Sequence, residues 1–144
     1  MPDILHDLPV FAARDAVFDG VASPAGLDAW WTLASSGEAA AGSEWSLDFG
    51  PDHRWKAQVV ACVRGFSIEW ELTEAAEDWR GTRVALRLDE RGPKHTDLHF
   101  RHAGWREESA HFRSTSFCWA MYLRLLKRFV EHGEVVEYDR RLDV

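Results

Sequence analysis

The chain has 144 residues, with 24 acidic against 17 basic side chains and a net charge of −7. Its basic residues are dispersed rather than gathered into a stripe that tracks phosphates, which argues against nucleic acid as a partner. No apolar run approaches the ~20 residues of a bilayer span, and the N-terminus MPDILHDLPVF lacks a basic segment followed by an apolar signal core, so a cytoplasmic protein without a membrane span is expected.

The length suits one domain, residues 1–144, and no Pro/Gly/Ser-rich linker divides it. Ile4 to Val10 reads as a short strand, followed by a helix from about Ala13 to Val21 and a break at Ser23-Pro24. Ser23 suits an N-cap, and Pro24 suits the first turn of a second short helix, PAGLDAWW, where its missing N–H costs nothing. The loop SSGEAAAG then opens a long region of period two. Trp45, Leu47 and Phe49 alternate with polar residues, and the turn GPD follows. Trp55, Ala57, Val59, Ala61 and Val63 share one face of the next segment, with Arg64-Gly65 as its turn. Phe66, Ile68, Trp70 and Leu72 alternate next, then Thr82, Val84, Leu86 and Leu88, before Arg91-Gly92-Pro93 turns the chain. This is the pattern of an antiparallel meander with one apolar face.

The stretch KHTDLHFRHAGW places three histidines at steps of four and three residues. On a helix, His95, His99 and His102 would share a face and could present three imidazoles to a zinc ion. The stretch keeps period two, however, with Thr96, Leu98 and Phe100 on one face. It therefore reads as a strand, with His95 and His99 on the outer face and His102 alone in the inward phase. Along a strand His95 and His99 lie about 13 Å apart, at ~3.3 Å per residue, too far to share one ion. No metal and no cofactor is expected.

A long helix from about Glu107 to His132 ends the pattern. Phe112, Thr115, Cys118, Trp119, Tyr122, Leu125, Leu126, Phe129 and Val130 recur at three- and four-residue steps, and Gly133 suits the C-terminal cap. Such a helix is long enough to cross a whole sheet. The tail EVVEYDRRLDV fits either a short strand or a loose end. Cys62 and Cys118 each lie in apolar segments, as small buried thiols do, and a cytosolic chain is expected to keep them reduced.

In this order the segments resemble a known family. VFAARDAVFDGVASPAGLDAWW is similar to the opening of the SRPBCC (START/Bet v 1-like) superfamily, most closely the polyketide cyclase and heat-shock-protein ATPase activator-like group. That group shows an Ala-x-x-x-x-Val-Phe/Trp helix start and a Pro-x-x-Leu-x-x-Trp-Trp second helix. GTRVALRLDE continues the likeness, as do TDLHFRHAGW, similar to the group's Thr-x-Leu-x-x-x-His-x-Gly-Trp, and the final helix WAMYLRLLKRFVEHGE. The resemblance runs from about residue 8 to residue 134. It departs at Cys118, where a smaller residue often precedes the helix tryptophan.

The resemblance implies an α+β helix-grip fold: a curved antiparallel sheet of about six strands wrapped on the long C-terminal helix, with two short helices after the first strand. It also implies a cavity between sheet and helix. The alternation supplies the expected lining, Trp45, Phe49, Trp55, Trp70, Phe100 and His102 from the sheet with Trp119 and Tyr122 from the helix. The competing reading is that these aromatics fill the space as core. A dry apolar void of ~150 Å³ would cost ~3–4 kcal/mol at ~24 cal/mol per Å³, so a real cavity is expected to hold ligand or water. His102 is either a core imidazole bonded to a hydroxyl such as that of Tyr122 or Ser116, or a polar anchor for a ligand.

Three functions follow. One is non-catalytic binding of a hydrophobic, aromatic or lipid-like small molecule. Another is a cyclase-like enzyme, disfavoured because Glu69, Glu71, Asp89 and Asp97 fall on outward phases, leaving no acid and base to converge in the cavity. The third is a co-chaperone-like interaction protein, implied by the family name alone. The protein is expected as a monomer or homodimer.

Overall fold

In a computed structural model, which describes residues 1–143, the period-two segments form one antiparallel sheet. In chain order the elements are β1 (Ile4–Val10), α1 (Arg14–Ala22), α2 (Pro24–Trp30), β2 (Ala34–Ser36), β3 (Glu44–Asp48), β4 (Arg54–Val63), β5 (Ser67–Glu74), β6 (Arg83–Gly92), β7 (His95–Ala103) and α3 (Ala110–His132). A 3-10 segment, Tyr138–Asp143, follows. The sheet order is β1-β7-β6-β5-β4-β3-β2, a meander to which the N-terminal strand is added beside the last one. The two helices α1 and α2 carry the chain from one edge strand to the other. The curved sheet and α3 make the expected helix-grip fold.

Local chemistry fixes the helix ends. Ser23 Oγ accepts from the Gly26 N–H at 3.0 Å with Pro24 in the first turn of α2, and Ser109 Oγ accepts from the Phe112 N–H at 3.1 Å at the start of α3. Ser109 thereby starts α3 three residues later than its apolar pattern suggests. Gly133 adopts φ 70°, the left-handed cap that ends α3.

The sheet of seven strands agrees with the expected helix-grip sheet of about six. Four expectations are corrected. Ser35 and Ser36, expected in a loop, belong to an edge strand, Ala34–Ser36, that pairs with β3. The register of β4 shifts between Val59 and Ala61, so the strand changes phase: Ala61 and Val63 face solvent although Ala57 and Val59 are buried. Phe66 belongs to the turn before β5 and is 45% exposed, where the Arg14 guanidinium covers its ring at 3.9 Å. The tail is neither strand nor loose.

The tail is held by Arg141, only 4% exposed. Its guanidinium donates to the carbonyls of Asp28 (2.6 Å), Thr32 (3.0 Å) and Val136 (3.0 Å). The first two are carbonyls at the C-terminal end of α2, which the helix itself leaves unpaired. Val144, the last residue of the tail segment, lies outside the described residues. Arg141→Met is expected to lower the unfolding free energy by about 2 kcal/mol, since it strands buried carbonyls. A lower urea midpoint together with faster tryptic cleavage after Arg140 would show it; an unchanged midpoint would show the tail to be dispensable.

No helix among the described residues is long and apolar enough to cross a membrane.

Candidate functional site

The inward phases of the strands and the apolar stripe of α3 meet around a cavity of about 320 Å³, open to solvent on one side. From α3 it is lined by His111, Ser114, Thr115, Cys118, Trp119 and Tyr122, one stripe of the helix that runs roughly 16 Å at 1.5 Å per residue. Trp55 comes from β4, and Phe49 and His53 from the turn that joins β3 to β4. Trp31 comes from the end of α2, Trp79 from the β5–β6 connection and Tyr138 from the tail.

Five of these side chains close into a ring. Centroid separations are 5.3 Å for Trp31–Phe49, 5.1 Å for Phe49–Trp55, 5.0 Å for Trp55–Trp79, 6.0 Å for Trp79–Trp119 and 5.0 Å for Trp119–Trp31. Most of these contacts are tilted or edge-on, the arrangements that aromatic quadrupoles favour. The five members lie on five different segments, the end of α2, the β3–β4 turn, β4, the β5–β6 connection and α3, so the ring exists only in the folded chain.

Of the eight side chains expected to line a cavity, Phe49, Trp55, Trp119 and Tyr122 do so. Trp45, Trp70, Phe100 and His102 are buried behind the wall. Trp45 packs edge-on to Trp70 at 5.6 Å and donates its indole N–H to the Glu38 carbonyl, while Phe100 packs on Trp119 at 4.5 Å. None of the four is among the residues that line the cavity: alternation gives the face of a strand but not the depth along it.

His102 corrects a second expectation. It bonds neither Tyr122 nor Ser116. The Trp119 Nε1–H donates to its Nδ1 at 3.1 Å, which leaves the ring proton on Nε2, and that N–H donates to Thr82 Oγ1 at 2.8 Å. The Thr82 hydroxyl donates in turn to the Trp79 carbonyl at 2.5 Å. Each donor has one acceptor and the chain has one direction. It joins two members of the aromatic ring, Trp119 through its side chain and Trp79 through its backbone. His102 is 0% exposed, and burial holds its pKa down from 6.5 to about 3, so the imidazole is neutral. It lies behind the wall, bonded to one of the ring's members.

His95 and His99 stand on the outer face of β7, as their phase predicts. His95 meets Asp97 at 3.1 Å, and His99 lies between Asp7 at 2.7 Å and Asp89 at 2.9 Å. No cluster of three or more His, Cys, Asp or Glu side chains among the described residues is placed to hold a metal. Asp97 and Asp89 also bond Arg91 and Arg87, and neither carboxylate lines the cavity.

Polar groups sit towards both ends of the cavity. Tyr122 and Tyr138 lie at one end; burial pushes the Tyr122 hydroxyl up to about 12, so it stays protonated. His111 stands at the other, its Nδ1 held by the Asp78 carboxylate at 2.5 Å. Burial also raises the Cys118 thiol, and both cysteines are free. Sequence reasoning missed Trp31, His53, Trp79, His111, Ser114 and Tyr138 as lining residues, and placed Thr115 and Cys118 on the apolar stripe of the helix without assigning them to the cavity. The His111, Thr115, Cys118 and Tyr122 spacing marks one helix stripe and could have found His111; Trp79 and Tyr138 lie in connections with no periodic signal.

The profile of the Activator of Hsp90 ATPase homolog 1-like protein family matches residues 12–131. Among solved structures, an Aha1 dimer from Colwellia psychrerythraea has a TM-score of 0.83 at 24% identity, covering 93% of this chain and 99% of that one. CalU16 from Micromonospora echinospora has a TM-score of 0.73 at 20% identity, covering 91% of this chain and 77% of that one. DynU16, from the dynemicin biosynthetic locus, has a TM-score of 0.79 at 19% identity, covering 95% of this chain and 50% of that one. A comparison with curated proteins finds no match. At these identities the solved structures establish the fold alone, and the profile, spanning most of the chain, places it: the protein belongs to the Activator of Hsp90 ATPase homolog 1-like family of the SRPBCC superfamily.

Proposed function

We propose that this protein binds a hydrophobic, aromatic small molecule in the cavity between sheet and α3. The observation that carries the reading is the closed aromatic ring around an open space. Trp31, Trp79 and Trp119 are almost wholly buried, and Phe49 and Trp55 partly so, yet all five border the cavity instead of filling it. Ligand sites typically measure ~300–1,000 Å³, with mostly apolar walls and a few polar groups, and this cavity falls at the small end of that range. An apolar cavity of ~150 Å³ accepts benzene, so about twice that volume suits a two-ring compound. Because the cavity opens to solvent it holds water when unoccupied, and displacing that water from aromatic surface favours binding.

The test uses N-phenylnaphthylamine, a neutral probe that fluoresces in apolar surroundings. Saturable fluorescence is expected, with quenching of the cavity tryptophans. Cys118→Trp places an indole in the cavity and is expected to weaken probe binding at least about tenfold while changing stability by only about 1–2 kcal/mol. Unchanged binding in this variant would move the site elsewhere, and no binding to the parent protein would reject the reading.

A further inference from the structure

We propose that the ligand is a weakly acidic aromatic hydroxyl compound, a phenol, whose O–H donates to His111. This rests on the cavity reading above and adds the chemistry of its occupant. Among the described lining residues there is no carboxylate, lysine or arginine, although the chain carries 24 acidic and 17 basic side chains. The side chains able to accept a proton from a ligand there are imidazoles, His53 and His111.

His111 is the more organised of the two. Its Nδ1–H is directed at Asp78 Oδ2, 2.5 Å away, which fixes the tautomer and leaves Nε2 with a free lone pair and no partner among the described residues. Asp78 therefore orients the ring. In the bound state the neutral ligand O–H donates a hydrogen bond to Nε2. The proton stays on the ligand oxygen, because a phenol is a weaker acid than an imidazolium.

The ring of Trp79 lies 6.5 Å from that of His111, tilted by only 30°, so an aromatic body resting on the Trp79 and Trp119 wall extends towards the imidazole. Asp78 decides between acids. A carboxylic acid arrives already ionised at neutral pH and meets the Asp78 charge without a proton to give, whereas a phenol arrives neutral with a hydrogen to donate. A quaternary ammonium compound could stack in the aromatic ring, but it would leave Nε2 unused and find no carboxylate on the wall.

Displacement of N-phenylnaphthylamine by four compounds of matched shape tests this: naphthalene, β-naphthol, β-naphthoate and β-naphthyltrimethylammonium. β-Naphthol is expected to displace the probe at about one-tenth the concentration that naphthalene needs, because its hydroxyl donates to an imidazole nitrogen that Asp78 holds in orientation. In His111→Gln the ratio of the two affinities is expected to fall to about one, and in Asp78→Asn to fall part of the way. Equal affinity of naphthalene and β-naphthol in the parent protein would overturn the phenol assignment while leaving the cavity reading intact. Tightest binding of β-naphthoate or of the ammonium compound would also overturn it, and failure of all four to displace a bound probe would do the same. Retention of the full naphthol preference in His111→Gln would remove His111 from the site.

Discussion

At pH 7, His102→Leu is expected to lower the unfolding free energy by about 3 kcal/mol. The leucine leaves the buried Trp119 indole N–H without its acceptor, a loss of about 1–3 kcal/mol, and removes a ring that packs edge-on to Trp79 at 4.6 Å and Trp105 at 4.9 Å. The same substitution changes the acid limb of stability. The folded-state pKa of His102 is held down, from 6.5 to about 3, chiefly by burial. Between those values the unfolded chain binds a proton that the folded chain refuses, so the wild-type protein loses stability as pH falls through this window. The loss is about 1.4 kcal/mol per pH unit, roughly 5 kcal/mol across the window. His102→Leu carries no such penalty, and ionisations common to both proteins cancel in the comparison. The two stability curves are expected to approach each other below pH 6.5 and cross near about pH 4, the variant becoming the more stable protein in stronger acid. Urea denaturation at a series of pH values measures this directly. Parallel curves would mean that His102 is not held neutral by burial.

The contrast between this histidine and its neighbours shows what the sequence could carry. Period two in KHTDLHFRHAGW places His102 inward and His95 and His99 outward, because a strand of fixed pleat has no other way to dispose them. The same rule leads astray at Ala61 and Val63, where a bulge adds a residue that no local pattern announces. Thr82, the partner of His102, stands just before β6, and Trp79 reaches the cavity from the same connection. Tertiary packing determines these, while periodicity determines only the face. The aromatic ring is the extreme case: Trp31, Phe49, Trp55, Trp79 and Trp119 are visible as an excess of large side chains, but their closure depends on four connections and a helix crossing.

A second large effect is expected at Gly26, which composition gives no reason to single out. A Cβ built there would lie 2.5 Å from the carbonyl oxygens of both Asp19 and Gly20 and 2.8 Å from the Gly20 carbonyl carbon. These are backbone atoms of α1, so no rotamer change relieves the contact; α2 must move. The Gly20 carbonyl also accepts the Trp30 indole N–H at 2.9 Å, and displacing α2 breaks that bond. Gly20 gives the matched control. Its Cβ would meet only the ends of side chains, Val130 Cγ2 at 2.9 Å and Leu126 Cδ1 at 3.3 Å, which can yield. Helix propensity favours alanine over glycine at both positions by up to about 1 kcal/mol. Gly20→Ala is therefore expected to stay within about 1 kcal/mol of the parent, and Gly26→Ala to lose about 3 kcal/mol. Because α2 ends on Trp31, which closes the aromatic ring against Phe49 and Trp119, Gly26→Ala is also expected to weaken binding of the neutral naphthylamine probe, whereas Gly20→Ala should not. Denaturation midpoints and probe titrations on both variants test the two halves separately. Equal stability of the two would mean that the close approach of α1 and α2 is not what glycine provides. A destabilised Gly26→Ala that binds the probe normally would uncouple the α2 position from the cavity wall.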